Sequence, residues 1–232
     1  MSNINIFQKI YFFLLTTLIC SCSTPNSYIS SANNQTGERN SIDINFLLSQ
    51  LEKADKNITP KLIYDEFGIE TFTYSKGILG ELKFEEVKER FLSGSNFYKN
   101  DRQNIRKLLK KINDLKINTQ IIKIDNSALG QWIPKRKLIL LNQRNISAGS
   151  RFFLNTLRHE VIHLAQSCFN DSITSYPKRI GLPLEFSKKI NMNLNHELYK
   201  SNPDELIFLE REAFTYSKVD GAAYKLLNRF CF

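Results

Sequence analysis

The chain carries no apolar run long enough to cross a bilayer. Its most apolar stretch, residues 10–20, is eleven residues long and includes Thr16 and Thr17, against the ~20 that a spanning helix requires. There is no internal repeat, which sets aside solenoids and propellers. Aromatic and basic residues do not interleave as they do on nucleic-acid-binding surfaces, so no nucleic-acid partner is expected. Histidine is scarce, with three in the whole chain, and cysteine numbers four. What is abundant is apolar and aromatic mass. Hydrophobic residues make up 42% of the 232, with 17 Phe and 9 Tyr, enough to build a packed core. The formal charge of +9 is spread along amphipathic segments and reads as a solvated face.

The N-terminus reads as an export signal. Lys9 precedes the short apolar run, whose end passes into Ile19-Cys20-Ser21-Cys22. An aliphatic residue three before a cysteine, with a small residue directly before it, resembles a bacterial lipobox. That resemblance implies residues 1–21 as signal peptide, lipidation of Cys22, and an exported protein, periplasmic and membrane-associated or secreted. Ordinary cleavage without a lipid is the competing reading. Residues 22–41 are Ser, Thr, Asn, Gln and Pro with little apolar content, the composition of a tether. Residues 42–232 are expected to form one domain. Cys168 and Cys231 then remain. They form either a disulfide, as an exported protein permits, or two buried free thiols.

Within that domain the apolar spacing predicts a helix over 42–56, strand alternation at 70–74, and turns at Gly77 and Gly80. A short helix is expected over 84–92, with a loop at 93–96. Residues 101–116 carry one clear stripe, Ile105, Leu108, Leu109, Ile112 and Leu115. Strands follow at 119–125, 128–134 and 138–142, and Pro134 assigns the second of them to a sheet edge, because proline cannot donate to a ladder. A helix capped by Ser147 or Ser150 runs to about Cys168. A last helical segment covers 203–230, with Gly221 as its weak point. Helices and a small sheet together give an α+β class.

The chemistry concentrates in Arg158-His159-Glu160-Val161-Ile162-His163-Leu164. Residues four apart on a helix share a face, so His159 and His163 can turn ring nitrogens toward one metal ion. Glu160 sits beside them, placed to reach a metal-held water as general base. A catalytic zinc needs a third protein ligand. Gln166 and Phe169 stand where a metzincin would continue its motif with Gly and His, so that version fails.

The motif helix, the edge strand ending at Pro134, the aliphatic strand after it, and Glu210-Arg211-Glu212-Ala213 downstream resemble the zincin metallopeptidases of gluzincin type, over residues 128–223. The resemblance implies a zincin-like α+β fold and one Zn²⁺ held by His159, His163 and Glu212, with Glu210 as the second choice for the third ligand. It also implies hydrolysis of a peptide or protein substrate, with Glu160 as the base. Tyr216, Tyr199, His196 and Tyr176 are candidate oxyanion stabilisers. Trp132 and Gln131 are candidates for a substrate-binding edge. Glu212 follows His163 by 49 positions, more than the nearest family spacing. An exported metal-binding or interaction module without turnover is the alternative, and a structural lipoprotein with an accidental motif is a third.

Overall fold

The computed structural model describes residues 42–64, 66, 70–74, 82–124, 128–197, 199 and 202–232. The expected signal segment, Cys22, the tether and the turns at Gly77 and Gly80 lie outside them. Five elements come first: α1 (Ile44–Ile58), β1 (Lys61–Tyr64), β2 (Glu70–Thr73), α2 (Phe84–Ser93) and α3 (Lys99–Asp114). The sheet strands β3 (Asn118–Ile122), β4 (Gly130–Ile133) and β5 (Leu138–Asn142) follow. A short α4 (Arg144–Ser147) leads into α5 (Ser150–Phe169), and α6 (Lys188–Leu194), α7 (Asp204–Ser217) and α8 (Ala222–Phe230) complete the chain.

The architecture is α+β. A two-stranded antiparallel ribbon, β1–β2, accompanies a three-stranded mixed sheet of order β3-β5-β4. β5 is central, parallel to β3 and antiparallel to β4. Its unbroken Leu-Ile-Leu-Leu run suits a strand flanked on both sides, and Leu138, Ile139 and Leu141 are buried. β4 ends the sheet, the place that Pro134 indicates.

Helix α5 packs against α3, α7, α8 and β4. Phe153, Leu154, Leu157, Val161, Ile162 and Leu164 on it are fully buried. The stripe of α3 meets it, with Ile105, Leu108, Leu109 and Ile112 joining the same core.

The cap of α5 differs from expectation. Ser147 ends α4, its hydroxyl bonded back to the Arg144 carbonyl. Ser150 is the first residue of α5 and caps nothing itself. The acceptor comes from Asp55 on α1, which takes the Ser150 backbone N–H at 2.7 Å and its hydroxyl at 2.6 Å. Arg102 of α3 pairs with the same buried carboxylate. Gly149, with φ of 86°, lets Asp55 approach, since a Cβ there would stand 2.9 Å from Oδ1.

Three further differences are local. Residues 94–98 form a 3₁₀ turn rather than a loop. β1 and α6 are short elements that periodicity does not announce. The C-terminal helical segment divides into α7 and α8 at Gly221. Among the described residues, no helix is long and apolar enough to cross a membrane.

Cys168, near the end of α5, and Cys231, just after α8, are joined by a disulfide closing a separation of 63 residues. Loop-closure entropy assigns such a bond about 4 kcal/mol. Replacing both cysteines with serine should lower unfolding free energy by about that amount, read from urea denaturation. An unchanged midpoint would contradict it.

Candidate metal centre

α5 is buried on nearly every side, so each polar group on it must find a partner inside the protein. His159 and His163 turn their Nε2 atoms toward each other at 3.1 Å. Glu210 of α7 closes the group. Its Oε2 stands 3.2 Å from Nε2 of His159 and 3.3 Å from Nε2 of His163. The three atoms form a nearly equilateral triangle, and all three residues are buried. Ligands about 2.0–2.1 Å from a tetrahedral zinc stand about 3.3–3.4 Å apart, so this triangle has the dimensions of one face of a tetrahedral site. The cluster is thereby capable of coordinating a divalent metal such as Zn²⁺.

The carboxylate of the triangle is Glu210, not Glu212. Two positions along a helix turn a side chain by about 200°, so the two glutamates of α7 point to different faces. Phe214, one turn after Glu210, stacks on the His159 ring with centroids 4.4 Å apart, which fixes that face of α7 toward α5. Glu212 is fully buried elsewhere. Its carboxylate accepts the backbone N–H groups of Ile180, Gly181 and Leu182, each at 2.9 Å, and the Gln166 side-chain amide at 2.9 Å. Thr215 and Arg211 hold the same segment further on, through Glu185. Glu212 therefore binds a stretch of irregular backbone that turns at Gly181 (φ 87°), and amide donors satisfy its charge in place of a metal.

Glu160 lies toward β4. It accepts the Trp132 backbone N–H, and Gly130 leaves it room. A Cβ on Gly130 would stand 2.7 Å from Glu160 Oε1. Burial raises the Glu160 carboxyl above its ordinary range, against the pull of His159 and His163. The Trp132 side chain turns into the core. Its ring is fully buried, and its indole N–H donates to Ser167 of α5 at 2.9 Å. Gln131, its neighbour on β4, is half-buried.

The oxyanion candidates are scattered. Tyr199 meets Phe214 edge-on at 6.0 Å, one ring removed from His159. Tyr216 is on the Glu212 side of α7; partial burial and then the Glu212 charge raise its phenol. His196 is exposed in the turn after α6, and Tyr176 is exposed beside Lys135. Gln166 and Gly130 are site residues that the motif does not mark. The available signal for Gln166 is a polar side chain three residues after His163, following Leu164 and Ala165.

Electrostatics bind the triangle together when no metal is present. Burial alone would lower the His163 pKa, but the Glu210 carboxylate against it raises it to about 9. Glu210 is correspondingly held far below the usual carboxylate range. Burial opposes this, and His163 and His159 outweigh it.

Comparison with known proteins adds no relative: no family model matches the chain, no curated protein sequence matches it, and no solved structure matches its fold.

The sign of the resulting pH dependence is fixed. A histidine raised from 6.5 to about 9 on folding contributes stability that is complete below pH 6.5 and is lost as pH rises toward 9. Glu210, lowered from its ordinary 4.5, contributes fully and constantly across that window. In the presence of a chelator, the urea midpoint should fall between pH 6.5 and 9. A midpoint flat over that interval would show that His163 and Glu210 are not paired.

Proposed function

We propose that the protein binds one zinc ion through His159, His163 and Glu210. The observation that carries this reading is the triangle of two imidazole nitrogens and one carboxylate oxygen, with edges of 3.1, 3.2 and 3.3 Å. Two histidines and a glutamate are the donor set of a catalytic zinc with one position left for water. The gluzincin resemblance supports the same choice of metal, with Glu210 in the role of third ligand.

The finer reading is hydrolysis of a peptide bond. A bound zinc ion supplies Lewis acidity and lowers the pKa of a water molecule in its open position. The remaining work belongs to this chain. Glu160 follows His159 directly in sequence, and its carboxylate is the group beside the histidines that can take and return a proton. The outer edge of β4 is the place for an extended peptide to pair by its backbone. Tyr199 is the tyrosine candidate that meets Phe214, the ring packed on His159.

A metal-binding module without turnover is the second reading, and a specific observation favours it. The Glu160 carboxylate is already engaged by the Trp132 N–H, and the triangle is closely packed, its most exposed member, His159, showing 9% of its surface. The geometry thus carries metal binding further than it carries turnover.

Two measurements separate the readings. Purified protein should hold near-stoichiometric zinc, lost in His159→Ala and in Glu210→Ala; a metal-free wild type under zinc-replete conditions defeats both. Glu160→Gln should keep the zinc and lower peptide cleavage by about 10²- to 10⁴-fold. Equal activity in wild type and variant removes Glu160 as the base, and no cleavage by wild type of any peptide or cell-wall peptide leaves the binding module.

We also propose export and lipid anchoring through Cys22, supported by the apolar run and the Ile19-Cys20-Ser21-Cys22 pattern. Metabolic labelling with a fatty acid should mark the protein and vanish in Cys22→Ser. Undiminished label in that variant would refute the anchor.

A further inference from the structure

We infer that Gln166 and Glu212 act as positioning residues that set the tautomer of His163, and so decide which of its ring nitrogens offers a lone pair to the metal site. The inference rests on the zinc reading above.

It follows from donor and acceptor roles alone. Glu212 is fully buried, and the N–H groups of Ile180, Gly181 and Leu182 converge on its two oxygens. Surrounded by donors, it stands as an ionised carboxylate, which only accepts. Gln166, also fully buried, must therefore turn its NH₂ toward Glu212, at 2.9 Å, with the Leu209 carbonyl as a second acceptor at 3.3 Å. That leaves its carbonyl oxygen facing Nδ1 of His163 at 2.7 Å. A carbonyl oxygen accepts, so Nδ1 carries the hydrogen. In the neutral imidazole the free lone pair is then on Nε2, the atom that faces Glu210 and His159.

The relay is specific to one ligand. Nδ1 of His159 is buried with no hydrogen-bond partner among the described residues, so nothing comparable directs that ring. Glu212 consequently serves the site without touching it. It anchors the irregular segment before α6 and, through Gln166, dictates the state of a histidine on the other helix.

Glu212→Gln tests this role, because it preserves shape and removes the charge. Its oxygen can still accept from Gly181 and Leu182, but its NH₂ now faces Gln166 and also the Ile180 N–H, which loses its acceptor. Gln166 then turns its carbonyl toward residue 212 and its NH₂ toward His163, which puts the His163 hydrogen on Nε2.

The test measures zinc affinity by chelator competition and records long-range ¹⁵N–¹H histidine spectra of the zinc-loaded protein. Wild type should show His163 bound through Nε2 with Nδ1 protonated. Glu212→Gln should bind zinc about 10- to 100-fold more weakly and lose that pattern. The exchange variant Gln166→Glu/Glu212→Gln places an obligate acceptor back beside Nδ1 and should recover affinity.

Gln166→Met, which removes the acceptor without altering Glu212, carries the same expected loss and keeps the test open where Glu212→Gln fails to fold. Wild-type affinity in Glu212→Gln or Gln166→Met, or an exchange variant that binds no better than Glu212→Gln, overturns the relay while leaving the zinc site standing. A wild type that binds no zinc overturns both.

Discussion

The constraint on which the structure turns is that α5 is a buried helix with polar work to do. A helix enclosed on most sides is expected to be apolar all round, yet α5 buries Arg158, His159, Glu160, His163, Gln166 and Ser167 beside its leucines. Each such group costs free energy unless it is bonded, and each finds a partner outside α5. Asp55 of α1 holds the N-terminus of α5. The backbone of β4 holds Glu160, and the indole of β4 bonds Ser167. Glu210 of α7 meets the histidines, Glu212 of the same helix meets Gln166, and Asp220 pairs with Arg158. The fold can be understood as the set of supports that this one helix requires.

Much of that was legible in the chain. The stripe on α3, the aliphatic strand β5 and the proline-marked edge strand each follow from a single physical rule, burial of one face or loss of one donor. The His-Glu-x-x-His spacing places two imidazoles on one helical face for the same reason. What was not legible are the choices made between faces that look alike in sequence. Glu210 has Leu206 and Phe214 one turn away. Glu212 has Phe208 and Tyr216. Both glutamates interrupt apolar surroundings, and only the packing of α7 on α5, with Phe214 against His159, shows which of them enters the site. Trp132 posed the same problem. An aromatic residue on an edge strand suits substrate binding, but this one turns inward to Ser167.

Long-range satisfaction is the other thing that local pattern does not contain. The cap of α5 comes from a residue 95 positions earlier, and Glu212 is neutralised by backbone amides of a segment with no periodicity of its own. A carboxylate in an apolar setting needs compensation, and a metal is only one source of it. Three convergent N–H groups and a carboxamide are another. Burial therefore identifies which glutamates have partners without identifying what the partners are.

The two forms of compensation coexist a few ångströms apart and divide the electrostatics of the site. Glu212 is satisfied by fixed dipoles whatever happens at the histidines. Glu210 is satisfied by charge, which in the metal-free protein is the proton held on His163. A divalent cation must displace that proton, since a ligating imidazole has to be neutral. Once there, its two positive charges would face two neighbouring carboxylates, Glu210 and Glu160. The group would be neutral as a whole, the condition under which buried ions cost least. It would also remove the reason for Glu160 to keep a raised pKa, because a nearby cation favours the charged form that burial opposes. The same ion that completes the triangle would thereby prepare the neighbouring carboxylate to accept a proton, and this joins the metal site to Glu160 more closely than adjacency in sequence does.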